Sequence, residues 1–107
     1  HLFHPESGDH IMTTSSSLAN QKQAEGYQSS LEGGVFSAEQ EGTVAITLDS
    51  GNAYIYANAS AAPDGARVTA LYKLSNGTDF FYTKSSSTAN QAQAQGWSRS
   101  TAGYVMA

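Results

Sequence analysis

The chain has 107 residues, 39% of them hydrophobic and none of them cysteine, which is the scale of one small domain held by packing rather than by disulfides or thiolate-bound metal. Nine acidic side chains oppose five lysines and arginines, none of the five clustered. The resulting net charge of −4 excludes the basic footprint that binds phosphate backbones or anionic lipid, so nucleic acid is not an expected partner. No apolar run approaches the length of a bilayer span and no charged-then-apolar leader stands at the front, so membrane insertion is not expected either.

In chain order, Leu2 and Phe3 and then Ile11 and Met12 flank the turn HPESGD, where Pro5 and Ser7-Gly8-Asp9 carry turn chemistry, and this reads as a hairpin. Ser15 stands where an N-cap is needed, a helix follows to about Glu25, and Gly26 stops it. A strand then returns through Val35. TVAITL (Thr43 to Leu48) and AYIYAN (Ala53 to Asn58) alternate at period two around Asp49-Ser50-Gly51-Asn52, a second hairpin without a helix after it. The stretch ASAAPDGA from Ala59 to Ala66 reads as a loop with no further element. A third hairpin turns at Ser75-Asn76-Gly77-Thr78-Asp79 between Leu71 and Phe81-Tyr82. Ser85 opens a second helix, which runs to about Gln95 and stops at Gly96 before a last strand.

Ser15–Gly26 (SSSLANQKQAEG) and Ser85–Gly96 (SSSTANQAQAQG) agree at nine of twelve positions. At the same seventy-residue offset Asp9 aligns with Asp79, Ile11 with Phe81, Thr13 with Thr83, Tyr27 with Trp97, Gly33 with Gly103 and Val35 with Val105. Leu2 aligns with Leu74 once the second copy loses two turn residues. The first copy then starts late, with only His1 where the second has Ala70, Leu71 and Tyr72 ahead of Lys73. The expected fold is therefore α+β: three antiparallel β-hairpins, short helices after the first and third, and an internal pseudo-two-fold relating two ββαβ units. It forms one domain over 1–107, with repeat A at 1–38, a linking hairpin at 42–58, a loop at 59–67 and repeat B at 68–107. Both helices are rich in Gln, Asn and Ala with a thin apolar stripe. They suit close packing on a sheet better than insertion into a hydrophobic groove.

LFHPESGDHIMTTSSS…GY…EGGV at Leu2–Val35 and LYKL…GTDFFYTKSSSTANQAQAQGW…AGYV at Leu71–Val105 resemble a secreted tandem-repeat family. Its units read approximately LYRLYN, GDHFYTTS, a short helix, GW and EGIAGYV. GTVAITL at Gly42–Leu48 resembles the start of another unit, GTVPLYRL. The resemblance implies secretion and occurrence beside cell-wall or polysaccharide hydrolases, and it implies no reaction. The chain departs from the pattern in three places: the family's histidine survives as His10 but is Phe80 in the second copy, the glutamate at the helix start is replaced by Leu18 and Thr88, and the middle unit has no helix.

His1, His4 and His10 fall within ten residues. A free terminal histidine with a second one is the copper ligand set of oxidative polysaccharide-cleaving enzymes. That chemistry requires His1 to be the mature terminus, whereas the repeat places a strand there, so turn and surface histidines are expected and no metal or cofactor. Asp9, Glu32, Asp49, Asp64 and Asp79 are the candidate acids, but Asp9 and Asp79 occupy equivalent turns, where aspartate bonds its own following amides. Without opposed carboxylates or a Gly-x-Ser-x-Gly elbow, no enzyme activity is expected. The aromatic set Tyr27, Tyr54, Tyr56, Tyr72, Tyr82, Trp97 and Tyr104 is better material, since ring faces stack on sugar C–H groups while neighbouring polar side chains meet hydroxyls. The expected function is a secreted, lectin-like module binding polysaccharide through Asp9, His10, Tyr27, Asp79, Tyr82 and Trp97. Duplication of a weak site would add avidity. The alternative is a structural surface protein, a homo-oligomer polymerising through an open sheet edge at the short first strand. Two sequons, at Asn58 and Asn76, accord with secretion.

Overall fold

A computed structural model describes residues 1–106. The elements are β1 (Leu2–Phe3), β2 (His10–Ile11), α1 (Ser16–Ala24), β3 (Gln28–Ser29), β4 (Thr43–Leu48) and β5 (Gly51–Tyr56). A 3-10 turn (Ala59–Ala61) leads to β6 (Val68–Ser75), β7 (Phe80–Thr83), α2 (Ser86–Ala94) and β8 (Ser98–Met106). The architecture is α+β, with two helices and two antiparallel sheets. The small sheet has the order β2-β1-β3 and the large one β4-β5-β8-β6-β7.

Local chemistry explains the boundaries. The Ser15 and Ser85 hydroxyls accept from the backbone N–H groups of Leu18 and Thr88, both at 3.2 Å, satisfying amides that open each helix. At the far ends Tyr27 and Trp97 donate their N–H back to the Lys22 and Ala92 carbonyls, both at 3.1 Å. That closure requires a left-handed residue just before them, and Gly26 (φ 100°) and Gly96 (φ 98°) supply it. The turn ahead of β7 is organised by one side chain: Asn76 Oδ1 accepts from the N–H of Thr78 at 3.0 Å and of Asp79 at 2.7 Å.

In the small sheet Leu2 faces Ile11 on one side and Ser29 on the other, and Phe3 faces His10 and Gln28. In the large sheet Leu74 faces Phe81 and Arg99, and Ser75 faces Phe80 and Ser98. The β6–β8 ladder carries an irregularity between Leu71 and Tyr72. Nearby, Gly103 lies so close to β5 that a Cβ there would stand 2.5 Å from the Tyr56 carbonyl oxygen.

The core gathers Met12, Ile46, Leu48, Ala53, Ile55, Leu71, Leu74, Phe81, Tyr82, Ala89, Ala92 and Val105. The two helices serve it unequally. α2 buries Ala89 and Ala92, whereas α1 buries no residue: Lys22 stands where α2 has Ala92, and Ala19, at the position of Ala89, is only partly covered. Tyr82, expected at a binding surface, is only 2% exposed. β7 is the edge of the large sheet, but β2 passes close beside it: the Tyr82 N–H meets the Met12 sulfur at 3.4 Å. The stretch expected to be irregular after β5 contains the 3-10 turn, because Asn58 Oδ1 accepts from the Ala61 N–H at 3.0 Å and from the Ser60 hydroxyl at 2.6 Å.

Candidate functional site

A cleft of about 790 Å³ opens between the small sheet and α2. One wall is aromatic. The buried Phe81 ring backs it, stacking on His10 at 4.2 Å and on His1 at 4.7 Å between centroids; Trp97 meets Phe81 and His10 edge-on at 5.2 Å, and Phe3 leans on His10 at 4.8 Å. The Trp97 backbone bond to Ala92 fixes where the indole leaves the helix end, and β7 presents Phe81 from the neighbouring strand. The polar, uncharged groups of the rim include Thr88, Gln91 and Gln95 from α2 and its C-cap on one side, and Gln28 and Ser30 from the β3 side on the other.

Between wall and rim stands Glu32. Its Oε1 accepts from the Thr83 hydroxyl at 2.7 Å and the Lys84 N–H at 2.9 Å, and its Oε2 accepts from the Ser30 hydroxyl at 2.7 Å. Burial pushes this carboxyl upward, but those bonds prevail and hold it below its ordinary range, so it is ionised at neutral pH. His10 moves down: its burial opposes the charged form more strongly than Asp79 and Asp9 favour it, and the ring is neutral at pH 7. Its Nδ1 lies 2.8 Å from His1 Nε2, a pairing that needs one nitrogen of the two to be unprotonated.

The six residues singled out from the sequence are dispersed rather than gathered. His10 and Trp97 line the cleft. Asp79 stands behind, its Oδ2 accepting from the His10 N–H at 3.2 Å and its Oδ1 from the Phe80 N–H at 2.8 Å, so it positions the strand that carries the imidazole. Asp9 and Tyr27 form an exposed pair outside the cleft, joined by a 2.7 Å hydrogen bond from the phenol. That bond, more than burial, raises the phenol's pKa. The Tyr27 ring is flanked by the edge of His4 at 4.9 Å and the ammonium of Lys22 at 5.7 Å. Tyr82 lies in the core. His4 turns away from His1 and His10 toward the end of α1, and among the described residues no three His, Cys, Asp or Glu side chains converge on a common point.

Phe3, Phe81, Glu32 and the α2 face of Thr88, Gln91 and Gln95 complete the cleft, and none of them belongs to the expected set. The spacing of Thr88, Gln91 and Gln95 (i, i+3, i+7) is the signal that would have found that face, since it puts three hydrogen-bonding side chains on one helical side. A second, more apolar hollow of about 450 Å³ lies across β1, floored by Leu2, Met12, Leu48 and Leu71. No helix among the described residues is long and apolar enough to cross a membrane.

Fold and site together define a small two-sheet α+β domain with an aromatic-walled, amide-rimmed cleft. The chain belongs to the family described as a domain of unknown function, DUF5648, whose profile matches residues 1–107. No curated protein and no solved structure matches it.

Proposed function

We propose that the domain is a secreted, non-catalytic carbohydrate-binding module that holds a polysaccharide segment in the cleft between the small sheet and α2. The observation that carries the reading is the juxtaposition of the Trp97–His10 wall, backed by the buried Phe81 ring, with the Gln91–Gln95 rim. A sugar ring has an apolar C–H face and an equatorial belt of hydroxyls. An indole edge and face beside amides, which both donate and accept, match those two characters at once. The volume lies within the range of small-ligand sites. The reading includes the duplicated ββαβ unit. Supporting it, the pairs Leu2–Ile11 and Leu2–Ser29 sit at the offsets that turn them into Leu74–Phe81 and Leu74–Arg99. The cleft then forms where one unit's small sheet meets the other's helix.

A glycan array and pull-down on insoluble chitin, glucan and mannan test the reading. Retention by wild type and a loss of about tenfold or more in Trp97→Ala are expected, from the stacking area removed. An unretained wild type, or a Trp97→Ala that binds as wild type does, sinks it.

A further inference from the structure

Within the glycan-binding reading, on which it rests, we propose that the cleft is selective for neutral polysaccharide and that Glu32 is the residue that rejects acidic chains such as polyuronates. None of the side chains lining the cleft is a lysine or arginine. The anionic side chain it presents is the Glu32 carboxylate, which has the His1 amino group nearby and is held rather than free to swing aside: Thr83, Lys84 and Ser30 engage both of its oxygens at 2.7 to 2.9 Å. Thr83, which anchors it, is 1% exposed. Asp79 and Asp9 add further negative charge behind His10 and beside the turn.

Three of the five lysine and arginine side chains are placed away from the cleft by their contacts. Lys22 pairs with Glu25 over Tyr27, Lys73 lies over Phe80 and Tyr82, and Arg99 bonds Asn90 while stacking on Tyr72. A uronate carboxylate entering this cleft therefore meets a fixed like charge with no lysine or arginine among the lining side chains to offset it, in surroundings less polar than water. A neutral hexose or N-acetylhexosamine instead meets amides, hydroxyls and rings, and the one lone pair left on Glu32 Oε2 can accept from its hydroxyls. Specificity here comes from a repulsive element built into an otherwise tolerant site.

The test compares retention of the whole chain on neutral supports (β-glucan, chitin) with acidic ones (polygalacturonate, alginate), for wild type and for Glu32→Gln, at low and at raised salt. Wild type is expected to prefer the neutral supports by at least about tenfold. Raised salt should narrow that preference by screening the repulsion, and Glu32→Gln should raise the acidic-to-neutral ratio. Circular dichroism confirms that the variant is folded, and the salt series reads the same repulsion without any substitution. Equal wild-type retention on both kinds of support overturns the selectivity while leaving the glycan reading intact. So does a ratio that neither salt nor Glu32→Gln moves. Retention on neither kind of support removes the glycan reading itself, and the selectivity with it.

Discussion

Replacing Glu32 by alanine tests whether the return segment of the first half is bolted to the entrance of α2 by one carboxylate. Three hydrogen bonds are lost together, but they are unequal. Ser30 and Lys84 are exposed and can turn to water, so each contributes a few tenths of a kcal/mol. Thr83 is 1% exposed, and its hydroxyl, which already accepts from the Ser85 N–H, loses the acceptor it donates to in a dry place, a cost of about 1–3 kcal/mol. Relief of the half-buried charge offsets part of this, leaving about 2 kcal/mol net. A domain of this size has about 5–15 kcal/mol in all, and its melting point falls by roughly 4–8 °C per kcal/mol.

Urea denaturation at pH 7 should therefore show a clear fall in midpoint at unchanged slope. Glu32→Gln, which keeps an acceptor for Thr83, should lose about half as much. The pH dependence is a second check. Because the folded carboxyl titrates below the ordinary 4.5, its contribution is complete above that value and disappears as pH falls from there through the folded pKa. Wild type and Glu32→Ala should thus converge in acid. A loss under about 0.5 kcal/mol at pH 7, or one that persists undiminished in acid, would refute the reasoning.

His10 is held below 6.5, so on acidification from pH 7 the unfolded chain takes up its proton more readily than the folded one. Stability should fall below that pH, and His10→Phe, the residue at the aligned position 80, should flatten the decline; an unchanged pH slope in urea midpoints contradicts this. Gly103→Ala should cost about 3 kcal/mol or more, because its Cβ meets the Tyr56 carbonyl oxygen at 2.5 Å and Ile55 Cδ1 at 2.7 Å, and a backbone oxygen inside a sheet cannot yield. A thermal melt matching wild type would show that β5 and β8 separate freely there. Tyr82→Phe, which removes only the hydroxyl of a ring that is 2% exposed, should leave glycan retention untouched, the reverse of Trp97→Ala; weakened retention in folded Tyr82→Phe would place that ring in the site after all.

Both helices were legible residue by residue, because their limits depend on neighbours in sequence. A serine hydroxyl reaches an amide three residues on, and a glycine allows the left-handed closure that ends each helix. The β4–β5 hairpin was legible for the same reason, its alternation and its turn being local. The turn at Ala59–Ala61 was missed because it depends on one asparagine capping a stretch of small residues that carries no periodicity. The candidate site was legible only in part. Trp97 and His10 lie in the cleft, but aromatic content does not say which face of a strand meets core and which meets solvent, and Tyr82 went inside.

From composition and local pattern alone came the absence of thiol chemistry, the acidic balance, the caps, the turns and the α+β class. Each depends on side-chain chemistry within a few residues along the chain. Tertiary structure alone decided that Phe3, His10, Phe81 and Trp97 share one wall, that Asp79 backs the imidazole while Asp9 goes to Tyr27, and that Glu32 reaches across to Thr83 from fifty-one residues away. Those contacts join residues that are remote in sequence, so they exist only once the two sheets have packed and closed the loops between them.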